Sequence, residues 1–146
     1  MPKKLSVKYR RTPALSINRV AFRDKKLVYA ARANKEFRYP FGRSKIVYFG
    51  TTMKGARRIA SSAASKGEDL LFNHGVKHLD LIVVVCGKRK GLAGAWKKLE
   101  RALIIRFREK LGAPPKANNT GHNMRWRDER NYFTNKSLDK IIDALG

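Results

Sequence analysis

The chain has 146 residues, 42% of them hydrophobic, which suits one domain with its own core and excludes wholesale disorder. Its 34 Lys and Arg against 11 Asp and Glu leave a formal charge of +23, which asks for a polyanionic partner, nucleic acid ahead of an anionic membrane. A single cysteine, Cys86, excludes an internal disulfide framework and, with three scattered histidines, argues against zinc.

No apolar run approaches the roughly 20 residues of a membrane span. The start MPKKLSVKYRR lacks the apolar segment of a signal peptide, so a cytoplasmic protein with no membrane partner is expected. Residues 1–25 form a basic arm with one acid, Asp24, either solvated or laid on phosphates. KLVYAARA (26–33) and KIVYFG (45–50) predict two strands that carry Tyr29 and Tyr48 at the same place in a repeated pattern. Asn34, Pro40 and Gly42 make the stretch between them a long turn-rich loop. Its Arg38, Tyr39, Phe41 and Arg43 either meet nucleic acid or form a mini-core at the loop base.

Thr51 or Thr52 is placed to cap a helix reaching Lys66 and closed by Gly67, with Lys54, Arg57 and Arg58 near its start. EDLLFNHG reads as a short helical piece and a loop carrying His74. VKHLDLIVVVCG (76–87) predicts a buried central strand that ends in Cys86, and GKRKGLAG a basic loop with Lys88, Arg89 and Lys90. The helix 95–111 ends at Gly112 and Pro114-Pro115, and a loop with Lys116 and Asn118 follows. NKSLDKIIDALG is a short amphipathic helix with Ser137 as its N-cap. The order β-β-α-β-α makes one small α+β domain.

On a wheel of the 95–111 helix, Trp96, Leu103, Phe107 and Leu111 share a face and Glu100 falls in its middle. An inward carboxylate must be paired, protonated or bound to a metal. A Glu-Arg pair, a protonated Glu on a tyrosine, and a ligand for a Mg²⁺ that keeps most of its waters are the readings open to it. Two tyrosines on adjacent strands, the Arg57-Arg58 pair and a lone carboxylate suit phosphodiester hydrolysis: a cation at the leaving oxygen, Arg at the non-bridging oxygens, a phenol near the attacking water.

In these residues the chain resembles the GIY-YIG nuclease family over roughly residues 26–121, with 1–25 as an arm and 122–146 as an extension. VYA (28–30) stands at the GIY position and YFG (48–50) at YIG; Arg58 follows Tyr48 by ten residues; Glu100 in WKKLERALIIRF and Asn118 in PPKANNTG complete the set. The resemblance implies a three-stranded antiparallel sheet flanked by helices and Mg²⁺ (or Mn²⁺) dependent DNA cleavage leaving 5′-phosphate and 3′-hydroxyl. It implies that Tyr29 or Tyr48 helps activate water, that Arg58 binds the scissile phosphate, that Glu100 holds the cation and that Asn118 braces the site. The first motif lacks its glycine, and Ser62 stands where many members have a His or Tyr. Either a tyrosine alone activates the water or His74 swings in; His74 is otherwise a loop residue that caps a backbone group.

Composition fits a second class equally: a non-catalytic basic protein that binds RNA, ribosomes or DNA. Lys54, Arg57, Arg38, Arg43, Lys88, Arg89, Lys90 and Lys116 are the candidate phosphate contacts in either case. Trp126 is a base-stacking platform or a core residue, and His78 and His122 carry no assigned role. A monomer and a homodimer both fit.

Overall fold

A computed structural model describes residues 4–8, 10–14, 26–53, 56–84 and 94–146. Its elements run β1 (Leu27–Tyr39), β2 (Gly42–Thr52), α1 (Ala56–Glu68), a π-helical turn (Asp69–Asn73), β3 (Leu79–Val84), α2 (Ala95–Leu111), a 3₁₀ turn (Glu129–Asn131) and α3 (Asn135–Leu145). The strands form one antiparallel sheet in the order β2-β1-β3, the α+β arrangement expected. Cys86, Lys54 and the loop residues Lys88, Arg89 and Lys90 lie outside the described residues, as do residues 15–25 of the arm.

Where a long loop was expected at 34–44, both strands run on to a tight turn at Pro40-Phe41. The extra length is absorbed inside the ladder. Ala31 pairs with Tyr48 but Arg32 with Ile46, and residues 33–36 then stand opposite Lys45 before Phe37 meets Ser44. Asn34 holds this bulge, its N–H donating to the His78 carbonyl and its Oδ1 accepting from the N–H groups of Lys77 and His78. Of the two readings open for Tyr39, burial in a core holds: it donates to the Ile46 carbonyl at 2.9 Å. β3 is an edge strand of mostly half-buried residues; the central strand is β1, buried from Leu27 to Ala31.

One face of the sheet supplies Val28, Ala30, Val47 and Phe49 to a core closed by Leu99, Leu103 and Phe107 of α2. Phe107 meets Phe49 and Tyr39 edge-on at 6.0 and 5.1 Å. Leu138 and Ile142 of α3 join the same cluster, which is why α2 is apolar on more than one side. The other face carries Leu27 and Tyr29 beneath Ile59 of α1. Three helix ends differ from expectation. Thr51 and Thr52 finish β2, and α1 continues through Gly67 into the π-helical turn. Thr134, not Ser137, caps α3: its side chain accepts the Ser137 N–H at 3.1 Å.

α2 stops at Gly112, whose φ of 86° belongs to the left-handed region. A Cβ there would stand 2.7 Å from Pro40 Cβ and 3.1 Å from the Phe41 ring, while the Phe41 N–H donates to the Leu111 carbonyl. One glycine thus ends the helix and seats the hairpin tip upon it. Gly112→Ala should cost about 2–4 kcal/mol through positive φ and collision together, read as a lower urea midpoint with an unchanged slope.

Candidate active site

Tyr29 and Tyr48 sit diagonally across the β1-β2 ladder, since Tyr29 faces Gly50 and Tyr48 faces Ala31. Their ring centroids lie 5.9 Å apart at 46°. Gly50 makes room for this: a Cβ on it would come within 2.6 Å of Tyr29 Cζ and Oη and of Tyr48 Cε1. The two rings have different exposures. Tyr29 is 1% exposed and forms the floor with Leu27 and Ile59, whereas Tyr48 is half-buried and opens toward solvent.

The Tyr48 phenol feels three residues of the predicted set. Burial pushes its pKa up to about 12, helped by the neighbouring Tyr29 phenol hydrogen-bonded to it and by the negative charge of Glu100, while the Arg58 guanidinium pulls the other way. Tyr29, Arg58 and Glu100 therefore all act on one phenol. Tyr48 is a neutral phenol at neutral pH.

Glu100 lies at the edge of the buried face of α2 rather than in its middle, half-buried beside the end of β2. Burial raises its pKa; a hydrogen bond from the Thr51 side chain and the charge of Arg101 oppose this. Arg101 does not pair with it. Its Nε donates to Glu129 Oε1 at 2.7 Å and its Nη2 to the Arg125 carbonyl at 2.8 Å. The buried Glu-Arg pair that was one reading of Glu100 belongs instead to Glu129, 1% exposed. Glu100 is left without an ion pair among the described residues.

Asn118 holds the strand that carries Tyr48. Its Oδ1 accepts from the Phe49 N–H and its Nδ2 donates to the Phe49 carbonyl, both at 2.9 Å. The Ala117 N–H adds a bond to the Val47 carbonyl at 2.8 Å, so the segment after α2 runs along the outer edge of β2. Arg58 and Arg57 are exposed on α1; Arg58 also donates to Ser61 Oγ at 3.3 Å.

His74 is not brought to this cluster. It sits beside Phe37, ring centroids 6.0 Å apart, with Nε2 3.3 Å from Asp69 Oδ2. Phe37 pairs with Ser44, four positions along β2 from Tyr48, about 13 Å at the usual rise. His74 therefore follows the far end of the hairpin and is no base for this site. Arg38, Arg43 and Lys116 are exposed at that same end. His78 is engaged with Asp80 at 2.8 Å. Trp126 is half-buried and packed against the core, its indole N–H donating to Glu109 Oε1 at 2.6 Å and one face covered by the Arg130 guanidinium.

Three neighbours were missed. Thr51 was read as a helix cap but serves Glu100. Gly50 was read only as a motif letter. Lys66 holds its ammonium 5.5 Å from the Tyr48 ring centroid. Residues 58, 62 and 66 are successive turns of one helix stripe, so Lys66 was discoverable from spacing.

The donors assembled here, a carboxylate free of any ion pair and phenol oxygen, are hard oxygens that suit Mg²⁺ or Mn²⁺. Among the described residues no group of three His, Cys, Asp or Glu comes together, so a cation at Glu100 would draw its other ligands from water and substrate. No family model, curated protein or solved structure matches the chain. Among the described residues, no helix is long and apolar enough to cross a membrane.

Charge is segregated around this site. Five of the 11 carboxylates, Glu109, Asp128, Glu129, Asp139 and Asp143, pair with cations of α2 or with Arg130. Arg38, Arg43, Lys45, Arg57, Arg58 and Lys116 have no carboxylate within ion-pair distance among the described residues. Positive potential is thereby left on α1 and the hairpin.

Two outcomes follow. Asn118→Asp keeps the acceptor but faces the Phe49 carbonyl with a carboxylate, and should cost about 2–3 kcal/mol in denaturant unfolding. Glu100 has a folded pKa above its ordinary 4.5, so its contribution is complete below that value and is lost as pH rises through the folded one. Glu100→Gln should therefore raise the melting temperature at neutral pH by about 2–4 °C, a gain that vanishes near pH 4. A neutral-pH loss would mean that the carboxylate stabilises the fold.

Proposed function

We propose that the protein is a Mg²⁺- or Mn²⁺-dependent endonuclease of the GIY-YIG kind, hydrolysing DNA to 5′-phosphate and 3′-hydroxyl ends. The observation that carries this is the convergence on Tyr48: one phenol is within electrostatic reach of Tyr29, Arg58 and Glu100, residues spread over β1, α1 and α2. The free cations of α1 and the hairpin supply an approach for the phosphate backbone.

Arg58, exposed and unpaired with any carboxylate, binds the non-bridging oxygens of the scissile phosphate. Glu100 would hold the cation, which when bound supplies positive charge for the leaving 3′ oxygen. Tyr48, a neutral phenol whose pKa is pushed up to about 12, orients the attacking water by hydrogen bonding. As a neutral phenol it does not take the water's proton, which passes to solvent. Tyr29 buttresses Tyr48 from below, and Asn118 keeps the Tyr48 segment of β2 from shifting.

Plasmid nicking tests this. Wild type should nick in Mg²⁺ and stop on chelation; Arg58→Ala should lose about 10²–10³ in rate with its melting temperature intact. Glu100→Gln should abolish nicking while binding DNA as tightly as wild type. If wild type and Glu100→Gln both bind with a steep salt dependence and neither nicks, the protein is a non-catalytic nucleic-acid-binding module.

A further inference from the structure

Beside the hairpin end lies an open cleft of about 390 Å³, within the size range of small-ligand sites. Arg38, His74, Lys116 and His122 stand around it, and Pro40 and Pro114 form part of its wall. Its one carboxylate, Asp69, is engaged by His74 at 3.3 Å and by Asn73 Nδ2 at 2.9 Å. Arg38 and Lys116 have no such partner among the described residues. The Lys116 N–H donates to Tyr39 Oη at 3.1 Å, and its ammonium lies 5.8 and 5.7 Å from the ring centroids of Phe37 and Tyr39. That cation is held in place by aromatic faces and its charge is unspent.

Two large apolar side chains on segments that line the cleft are exposed: Phe41, next in sequence to the lining Pro40, at 73%, and Phe72, in the π-helical turn that supplies Asp69 and Leu70, at 75%. Cations around an apolar wall, with exposed rings on the neighbouring segments, match how unpaired nucleotides are held, by phosphate charge and base stacking together. A stiff, convex duplex presents phosphates to such a hollow and cannot place a base in it.

The cleft is also tied to the tyrosine site. Asn118 lines it, yet its side chain clamps Phe49, next to Tyr48. Arg43, at the cleft end of β2, is five positions from Tyr48, about 17 Å along the strand. That is a span of a few nucleotides.

We propose that this cleft binds an unpaired nucleotide of the nucleic acid held at Tyr48, so that the preferred substrate carries a single-stranded segment close to the bond to be cut. The inference rests on the reading above that the partner is nucleic acid; it does not need that partner to be cleaved.

The test is fluorescence anisotropy with full-length Glu100→Gln protein, comparing a blunt duplex with the same duplex bearing a short single-stranded tail at either end. The tailed duplex should bind about tenfold tighter. Arg38→Ala with Lys116→Ala should abolish that preference, whatever it does to overall affinity, and a matched loss of charge on α3, Lys136→Ala with Lys140→Ala, should leave it. Both pairs are exposed, so unchanged melting curves confirm folding. The inference is overturned if the tail makes no difference, or if the preference survives the Arg38 and Lys116 pair or falls equally with the α3 pair. A tail preference with the expected mutant pattern, in a protein whose wild type never nicks, would uphold the cleft and remove the nuclease.

Discussion

The two hydrogen bonds between the Asn118 side chain and the backbone of Phe49 hold the candidate site together. β2 is an edge strand, and the Phe49 N–H and carbonyl lie on its free side while Ala30 occupies the other. Left bare in a buried setting, both groups would carry a full desolvation penalty. A side-chain amide is the one neutral group that offers a donor and an acceptor in the geometry of a neighbouring strand. Asn118 therefore does the work of one more ladder residue. Because it follows α2 by only a few residues, it also locks the helix bearing Glu100 to the strand bearing Tyr48. Gly112 sets the start of that return path, and the hairpin tip packed on Gly112 closes it.

Glycine does a second job at position 50. A diagonal tyrosine pair across an antiparallel ladder needs a place for the ring that lies over the opposite residue, and only a missing side chain provides it. The repeated Lys-aliphatic-Val-Tyr pattern thus has unequal outcomes. The β1 copy lies on the central strand and is sealed as the floor; the β2 copy lies on the edge strand and keeps an open side. Position in the sheet, not the motif, decides which phenol meets solvent.

Much of this was readable in the residues, for reasons that can be named. Element type and order, the two tyrosine strands and the α2 stop at Gly112 follow from periodicity, breakers and spacing, while the grouping of Arg58 and Glu100 with Tyr48 was an expectation of the family resemblance. What was not readable depends on long-range closure. The 34–44 stretch has the composition of a loop, yet the bulge held by Asn34 and the contact of Pro40-Phe41 with α2 make it ladder. VKHLDLIVVV is apolar enough for a central strand, but order within a sheet is not written in one strand's composition. The wheel placed Glu100 mid-face because it assumed one buried side; α3 and the 3₁₀ turn bury a second, and the apolar arc shifts. His74 was assigned by its chemistry alone, and topology put it with Phe37.

The fate of the carboxylates explains why Glu100 remains available in so basic a protein. With more than three cations per acid, any exposed Glu would be expected to find a guanidinium. Arg101, adjacent in sequence, is the obvious candidate. It is occupied by Glu129, whose second oxygen accepts the Arg127 N–H at 2.6 Å, and by the Arg125 carbonyl. Lys98 is taken by Asp128 through both carboxylate oxygens. Asp128 and the 3₁₀ turn that follows it thus neutralise Lys98 and Arg101, the two cations of α2 nearest Glu100 in sequence. What reaches Glu100 on its own side is the Thr51 side chain, which can hold an oxygen in place without cancelling its charge. This carboxylate, oriented by a hydroxyl, feels the charge of Arg101 but forms no ion pair among the described residues, and it is the C-terminal extension that occupies Arg101 and Lys98.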